Sequence, residues 1–436
     1  MKMIHCADLH LDAKLQTNLD RENAKKRRNE LLGNFERLAA FAAEEGVEAV
    51  LIAGDLFDRE PVSALARNTV LEVIRAYPRI RFYYLRGNHD TGDCLGETAR
   101  GGNLRLFGNR WKTYREGNTG LIAVSGMELT RENNASAHTS LRLNPSCFNI
   151  VMLHGQLTGG GRNPAPRPPR YPDADAETDL RDLRAQRGSR FQGTLSDLHG
   201  TDFSAQSGSR FQGTFSDPEG AEIPVQSGSR SAAGNAGVID LRALRGRGID
   251  YLALGHLHAG RTGQLDERGS YCYPGCLEGR GFDEPGPHGF MLLDIDEEKK
   301  CMGRRFIPFA RRTLYTVDVD VGGCRTTAQM KGLVGEALLR AGCGRQDMAE
   351  VTLRGELEVD CEKDVDYILT DLRQRLFYAR LRDATVLRVN PDDYLYDESL
   401  RGEFVRMVMA DSSVSAEEKA AVIRCGFMAM DGEEPV

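Results

Sequence analysis

The first 155 residues alternate short apolar runs with segments whose apolar side chains recur at helical spacing, the pattern of a sheet covered by helices. Met3–Ala7, Ala49–Ala53, Arg81–Leu85, Leu121–Ser125 and Phe148–Leu153 read as strands. Between the first two, Leu31, Leu32, Phe35, Leu38, Ala39 and Ala42 fall on one helical face, and Gly46 supplies a stop. A second helix carries Leu65, Val70, Val73 and Ile74 and ends before Pro78.

Beyond residue 158 the pattern breaks. Gly159-Gly160-Gly161 and a Pro-rich run lead into a near-copy repeat: the decapeptide beginning at Gly188 returns at Gly208, and Gly228 opens a third copy. Each copy offers too few large apolar residues to stack as a solenoid, so 158–236 reads as a flexible, low-complexity insertion. Regular patterning resumes with a helix over Val238–Leu244 and strands at Tyr251–Leu254 and Phe290–Ile295. The remainder alternates β-α-β-α-β before two terminal helices, the second opening on the capping-box pattern Ser415-Ala416-Glu417-Glu418. The expected organisation is an α/β sandwich split into 1–157 and 237–312, the insertion between them, and a small α/β cap domain with terminal helices over 313–436.

Composition narrows the function classes. No apolar run approaches the roughly 20 residues of a membrane span. Met1 leads straight into a strand pattern without a secretory leader, and the ten cysteines are scattered with no CxxC pair, so a cytoplasmic protein with reduced thiols is expected. A net charge of −7 argues against indiscriminate binding to polyanions, although a basic footprint can be local. The densest basic cluster, Arg21, Lys25, Lys26, Arg27 and Arg28, reads first as a solvated helix start and second as a phosphate rail.

Candidate chemistry falls just after the apolar runs. Asp8-Leu9-His10 follows the first strand, Gly54-Asp55-Leu56-Phe57-Asp58 the second, Gly87-Asn88-His89-Asp90 the third, His154-Gly155 the fifth, and Gly255-His256-Leu257-His258 the strand beyond the insertion. Ligands bind beyond the carboxyl ends of strands in open α/β sheets, so side chains distant in sequence can converge there. Mixed imidazole and carboxylate donors suit manganese, iron or zinc better than magnesium or calcium. An isolated DxH or HxH is usually incidental; five blocks in order, each after a strand, point to a two-metal centre. His5, His138, His199 and His288 fall on the wrong strand face, in loops or in the insertion, and read as structural.

The order Asp-x-His, Gly-Asp-x-x-Asp, Gly-Asn-His-Asp, His, Gly-His-x-His resembles that of the calcineurin-like metallophosphoesterases, and the segments around Asp8, Asp55 and His256 look most like the SbcD and YhaO-type DNA repair exonucleases. This resemblance implies a four-layer fold with two sheets flanked by helices. It implies that Asp8, His10, Asp55 and His258 hold one metal, that Asp55, Asn88, His154 and His256 hold the other, and that Asp55 bridges. His89 would contact the scissile phosphate and protonate the leaving oxygen, with Asp58 standing where some relatives place a histidine. Two manganese ions, DNA as substrate, an SbcC-like coiled-coil ATPase as partner and a homodimer are further implications. A phosphodiesterase or phosphatase acting on a small phosphoester would use the same metals, and a binding subunit that has lost its chemistry is the third reading.

Overall fold

A computed structural model describes residues 1–13, 19–58, 62–90, 92, 94–95, 102–158 and 237–430. By its contacts the chain divides into two units, Met1–Pro166 with Gly234–Val436, and Arg167–Ala233. The second unit and the repeat-bearing insertion lie outside the described residues.

Two sheets stack face to face. The first takes its central strands from β1 (Lys2–Cys6), β2 (Ala49–Ala53) and β3 (Arg81–Leu85), mutually parallel neighbours. β4 (Leu104–Leu106) extends one side, and the antiparallel β12 (Gly289–Asp296) and β13 (Cys301–Pro308) extend the other. The second sheet contains β5 (Lys112–Glu116), β6 (Ile122–Gly126), β7 (Phe148–Thr158), β9 (Tyr251–Gly255), β10 (Arg261–Gln264) and β11 (Ser270–Tyr273), with β8 (Gly237–Asp240) pairing the end of β7. Met3, Leu51 and Leu85 meet Val124, Ile150 and Met152 in the core between the sheets. Helices α1 (Arg21–Glu44) and α2 (Ala64–Ala76) cover the outer face of the first sheet. Helices α3 (Asn134–Ser140) and α4 (Leu241–Leu244) lie with the second, whose outer face buries Val151, Leu153 and Leu252 against Leu241 and Leu244. The four layers expected from the sequence are therefore present.

Each central strand is buried on both faces, which is why these strands read as continuous apolar runs rather than alternating ones. The helix starts follow local chemistry: the Ser63 side chain accepts from Ala66 N at the start of α2, and Asp20 accepts from Asn23 N at the start of α1. Two expectations need correction. Residues 237–244 begin as a strand and only the last four are helical, because Gly237–Asp240 pairs in parallel with β7. Arg27 is not solvated; it is buried, donating to Glu278 (2.7 Å) and to the Gly279 carbonyl (2.6 Å).

A third, parallel sheet comprises β14 (Leu314–Asp320), β15 (Met348–Glu358) and β16 (Tyr378–Arg388). Helices α5 (Thr327–Arg340) and α6 (Val365–Arg375) pack on one of its faces through Met330, Val334, Ile368 and Leu372. Helices α7 (Leu400–Ala410) and α8 (Ala416–Met430) follow, with Ser415 and Glu418 making the reciprocal bonds of the expected capping box. Among the described residues, no helix is long and apolar enough to cross a membrane.

Candidate metal centre

The carboxyl ends of β1, β2 and β3 in one sheet and the parallel β7 and β9 in the other open on one rim, and all five motif blocks meet there. Backbone bonds tie the blocks together. Asp8 N donates to Gly54 O and His10 N to Asp55 O, both at 3.0 Å, and His256 N donates to both Asp8 carboxylate oxygens at 3.0–3.1 Å. His154 differs from expectation in lying within β7, which continues four residues past it before the insertion begins.

Backbone conformation marks the same residues. Asp8, His10, Asp55 and His256 all take positive φ values (53°, 45°, 52° and 113°), a region side-chain-bearing residues occupy at a cost and where functional sites concentrate. Two glycines make room for them. A Cβ on Gly87 would stand 2.1 Å from Asp55 Oδ1, and one on Gly54, itself at φ +94°, would stand 2.1 Å from His154 Nδ1.

The donor atoms form three overlapping groups, one of them His10 with Asp58 and His89, and the other two carry the expected ligands. In the first of these two, His10 Nε2 and His258 Nε2 face each other at 3.3 Å, with Asp8 alongside. In the second, Asn88 Oδ1 lies 3.0 Å from His154 Nε2 and 3.3 Å from His256 Nδ1, and His154 Nε2 lies 3.4 Å from Asp55 Oδ2. Asp55 stands between them, its Oδ2 also 3.9 Å from His10 Nε2. His154 Nδ1 reaches the Ala53 carbonyl at 2.9 Å, where it donates, leaving Nε2 directed at the centre. Ring nitrogens and carbonyl or carboxylate oxygens aimed at shared points, in a buried pocket, fit a pair of divalent cations.

The electrostatics of the protein groups alone divide the four histidines: His154 and His258 are raised, against their burial, by the carboxylates beside them, and His10 and His256 are lowered. Burial works against the Asp55 carboxylate, but His154 and His10 hold it well below the usual carboxylate range. Burial works against a charged His154, but Asp55 outweighs it and raises the imidazole to about 9. Burial lowers His10 and His256, favouring the neutral imidazoles that ligate.

His89 sits at the open edge, its side chain 45% exposed, with Nδ1 3.4 Å from Asp58 Oδ1. Asp58 Oδ1 also lies 2.9 Å from His10 Nδ1. Three residues that the motifs left without a role complete the surroundings. Asp90 is buried and accepts from the backbone N–H groups of Leu56, Phe57 and Gly87 at 2.9–3.1 Å, joining the loops after β2 and β3. Burial, reinforced by Asp55, raises its carboxyl to about 6. Glu284 accepts from His258 Nδ1 at 2.6 Å, and Arg280 reaches both Glu284 (3.0 Å) and Asp58 (3.4 Å). Neither lies near a strand-end motif, and a loop glutamate and arginine give no recognisable spacing.

The histidines set aside as structural stay outside the centre. His5 is buried and bonds the Tyr251 hydroxyl at 2.8 Å, and His288 Nε2 donates to Glu284 O at 2.9 Å. His138, expected in a loop, lies in α3 and accepts from Asp240 N. His199 lies outside the described residues.

Comparison with known proteins places these observations. Residues 1–260 match the family model described as calcineurin-like phosphoesterase. Over 99 residues the chain is 32% identical to the DNA double-strand break repair protein Mre11 of Aeropyrum pernix, an alignment spanning 22% of this chain and 23% of that relative. Among solved structures, the protein TT1561 of Thermus thermophilus is similar at 9% identity and a TM-score of 0.35, covering 70% of this chain and 98% of that one. A dimetal phosphatase from Danio rerio is similar at 10% identity and a TM-score of 0.31, covering 67% and 92%. With the family match spanning more than half its length, the chain belongs to the calcineurin-like phosphoesterases.

Proposed function

We propose that this chain is a metal-dependent DNA nuclease. Asp8, His10, Asp55 and His258 hold one divalent ion, Asp55, Asn88, His154 and His256 hold the other, and manganese is the ion used. The observation that carries the hydrolase reading is the convergence of these side chains from five chain segments on one rim, with a histidine at its open edge. When bound, the two ions supply an activated water and charge stabilisation for the phosphoryl group.

The protein's own groups do the rest. His89 faces solvent beside the centre and donates a proton from its imidazole to the leaving oxygen. Asp58 stays ionised, since His10 and Arg280 outweigh the effect of its burial, and its Oδ1 lies 3.4 Å from His89 Nδ1. Buried Asp90 holds the loops after β2 and β3 together, and these loops carry Asp55 and Asn88.

DNA is favoured as substrate by the identity with an Mre11 repair protein and by the small three-stranded domain that follows the catalytic sheets. Leu400, Met407, Met409 and Val422 leave α7 and α8 with exposed apolar side chains suited to docking a coiled-coil ATPase. The test is cleavage of single- and double-stranded DNA with manganese beside a small phosphodiester, comparing wild type with His89→Asn. DNA should be cut, and the substitution should lower the rate by about 100-fold or more with metal content unchanged. Cleavage of the small ester alone would overturn the DNA assignment and favour a small-molecule phosphodiesterase.

A further inference from the structure

Both histidines of the first metal group are backed by carboxylates, and one arginine joins those carboxylates. His258 Nδ1 lies 2.6 Å from Glu284 Oε1, and His10 Nδ1 lies 2.9 Å from Asp58 Oδ1. The first is an aligned hydrogen bond; the second is a close contact of the buried His10 Nδ1 without hydrogen-bond alignment. On the opposite side of each ring, the two Nε2 atoms face each other at 3.3 Å. Arg280 spans the two carboxylates, with Nη2 3.0 Å from Glu284 and Nη1 3.4 Å from Asp58. Arg280 Nη2 also lies 2.9 Å from His258 Nδ1. A donor cannot bond a nitrogen that is itself donating, so the shorter contact assigns the ring proton to Glu284.

Among the described residues, no carboxylate backs His154 in the same way. Its Nδ1 meets the Ala53 carbonyl instead. The loop carrying Arg280 and Glu284 is meanwhile fixed from several sides. Arg280 N donates to Glu284 Oε2 at 2.8 Å, Glu278 in the same loop binds Arg27 and Asn34 of α1, and Phe282 stacks on Tyr378.

We propose that Asp58, Arg280 and Glu284 form a positioning clamp that presents Nε2 of His10 and of His258 to one metal ion and thereby sets the affinity of that site alone. A carboxylate at Nδ1 fixes the tautomer, holds the ring plane and raises the basicity of Nε2. Arg280 bridges both carboxylates and fixes their spacing in a largely buried pocket. The clamp rests on the ligand assignment above and is independent of the substrate.

Manganese titrated into the metal-free full chain, followed by calorimetry and by the electron paramagnetic resonance of the coupled pair, tests it. Wild type should bind two ions and give a coupled signal. Glu284→Ala should weaken one of the two sites by about 10–100-fold, leave the other unchanged and abolish the coupled signal at sub-saturating manganese. Glu284→Gln, which keeps an acceptor for Nδ1–H, should recover most of the lost affinity. Arg280→Met should weaken the same site by a smaller factor. Two wild-type affinities in Glu284→Ala would overturn the clamp, as would equal weakening of both sites. Should Glu284→Ala fail to fold, unchanged affinity in Arg280→Met would overturn it equally. A wild-type chain that binds no pair of ions would instead remove the ligand assignment itself.

Discussion

Replacing Gly87 by alanine asks how closely the centre depends on the position of Asp55. The added Cβ would stand 2.1 Å from Asp55 Oδ1, 2.5 Å from Asp55 N and 2.7 Å from Asp55 Cγ, where such contacts do not fall below 3.0 Å. The carboxylate must therefore retreat by about 1 Å, and displacements of that size cost on the order of 100-fold in rate. Gly87 has no positive φ, so the effect is steric rather than a strained backbone. The same oxygen accepts from His89 N at 2.9 Å, so the perturbation reaches His89 as well. Overpacking of this kind adds about 1–3 kcal/mol of destabilisation. Gly33→Ala is the matched control, because its Cβ meets nothing within 4 Å and a helix interior gains up to about 1 kcal/mol from the change. Hydrolysis of bis(p-nitrophenyl) phosphate, metal per chain and thermal melting should separate the two. A Gly87→Ala enzyme with wild-type turnover and two tightly held ions would refute the reasoning.

Other consequences concern groups away from the centre. Burial lowers His5 to about 3 from an ordinary 6.5, so the folded chain resists protonation there. His5 imposes no penalty above pH 6.5, and between there and pH 3 the folded state loses about 1.4 kcal/mol per pH unit. His5→Gln should flatten that limb of the acid denaturation curve, and an unchanged slope would contradict a neutral buried His5. Glu278 is 2% exposed and accepts from Arg27, Asn34 and the backbone of Arg311 and Arg312. Glu278→Ala leaves Arg27 buried with a weaker partner in Glu30, so chemical denaturation should report a loss of about 3–5 kcal/mol. A loss under about 1 kcal/mol would mean water reaches the network.

The central strands were legible because burial on both faces makes them unbroken apolar runs: Ala49–Ala53 and Arg81–Leu85 agree with the observed strands to the residue. β5, β10 and β13 escaped notice because sequences such as Lys-Thr-Tyr-Arg-Glu and Arg-Thr-Gly-Gln carry little apolar signal on exposed strands. The residues that gather on the rim could be named because metal-ligating side chains are few in type and the strand ends place them. Arg280 and Glu284 could not, since they reach the centre through another side chain, from a loop whose path depends on Glu278 meeting a helix about 250 residues earlier. Arg27 looked like surface charge for the same reason: its partner is distant in sequence. The left-handed backbone at Asp8, His10, Asp55 and His256 likewise had no signature, as none of these is the glycine such a conformation favours.

A crystal grown with manganese and recorded at the manganese absorption edge tests the two-ion arrangement most directly. Two anomalous peaks should lie about 3.5–4 Å apart. Asp55 should touch both, Asp8, His10 and His258 one, and Asn88, His154 and His256 the other. A single peak, or manganese at His138 or His288 with Asp55 contacting none, would contradict the account.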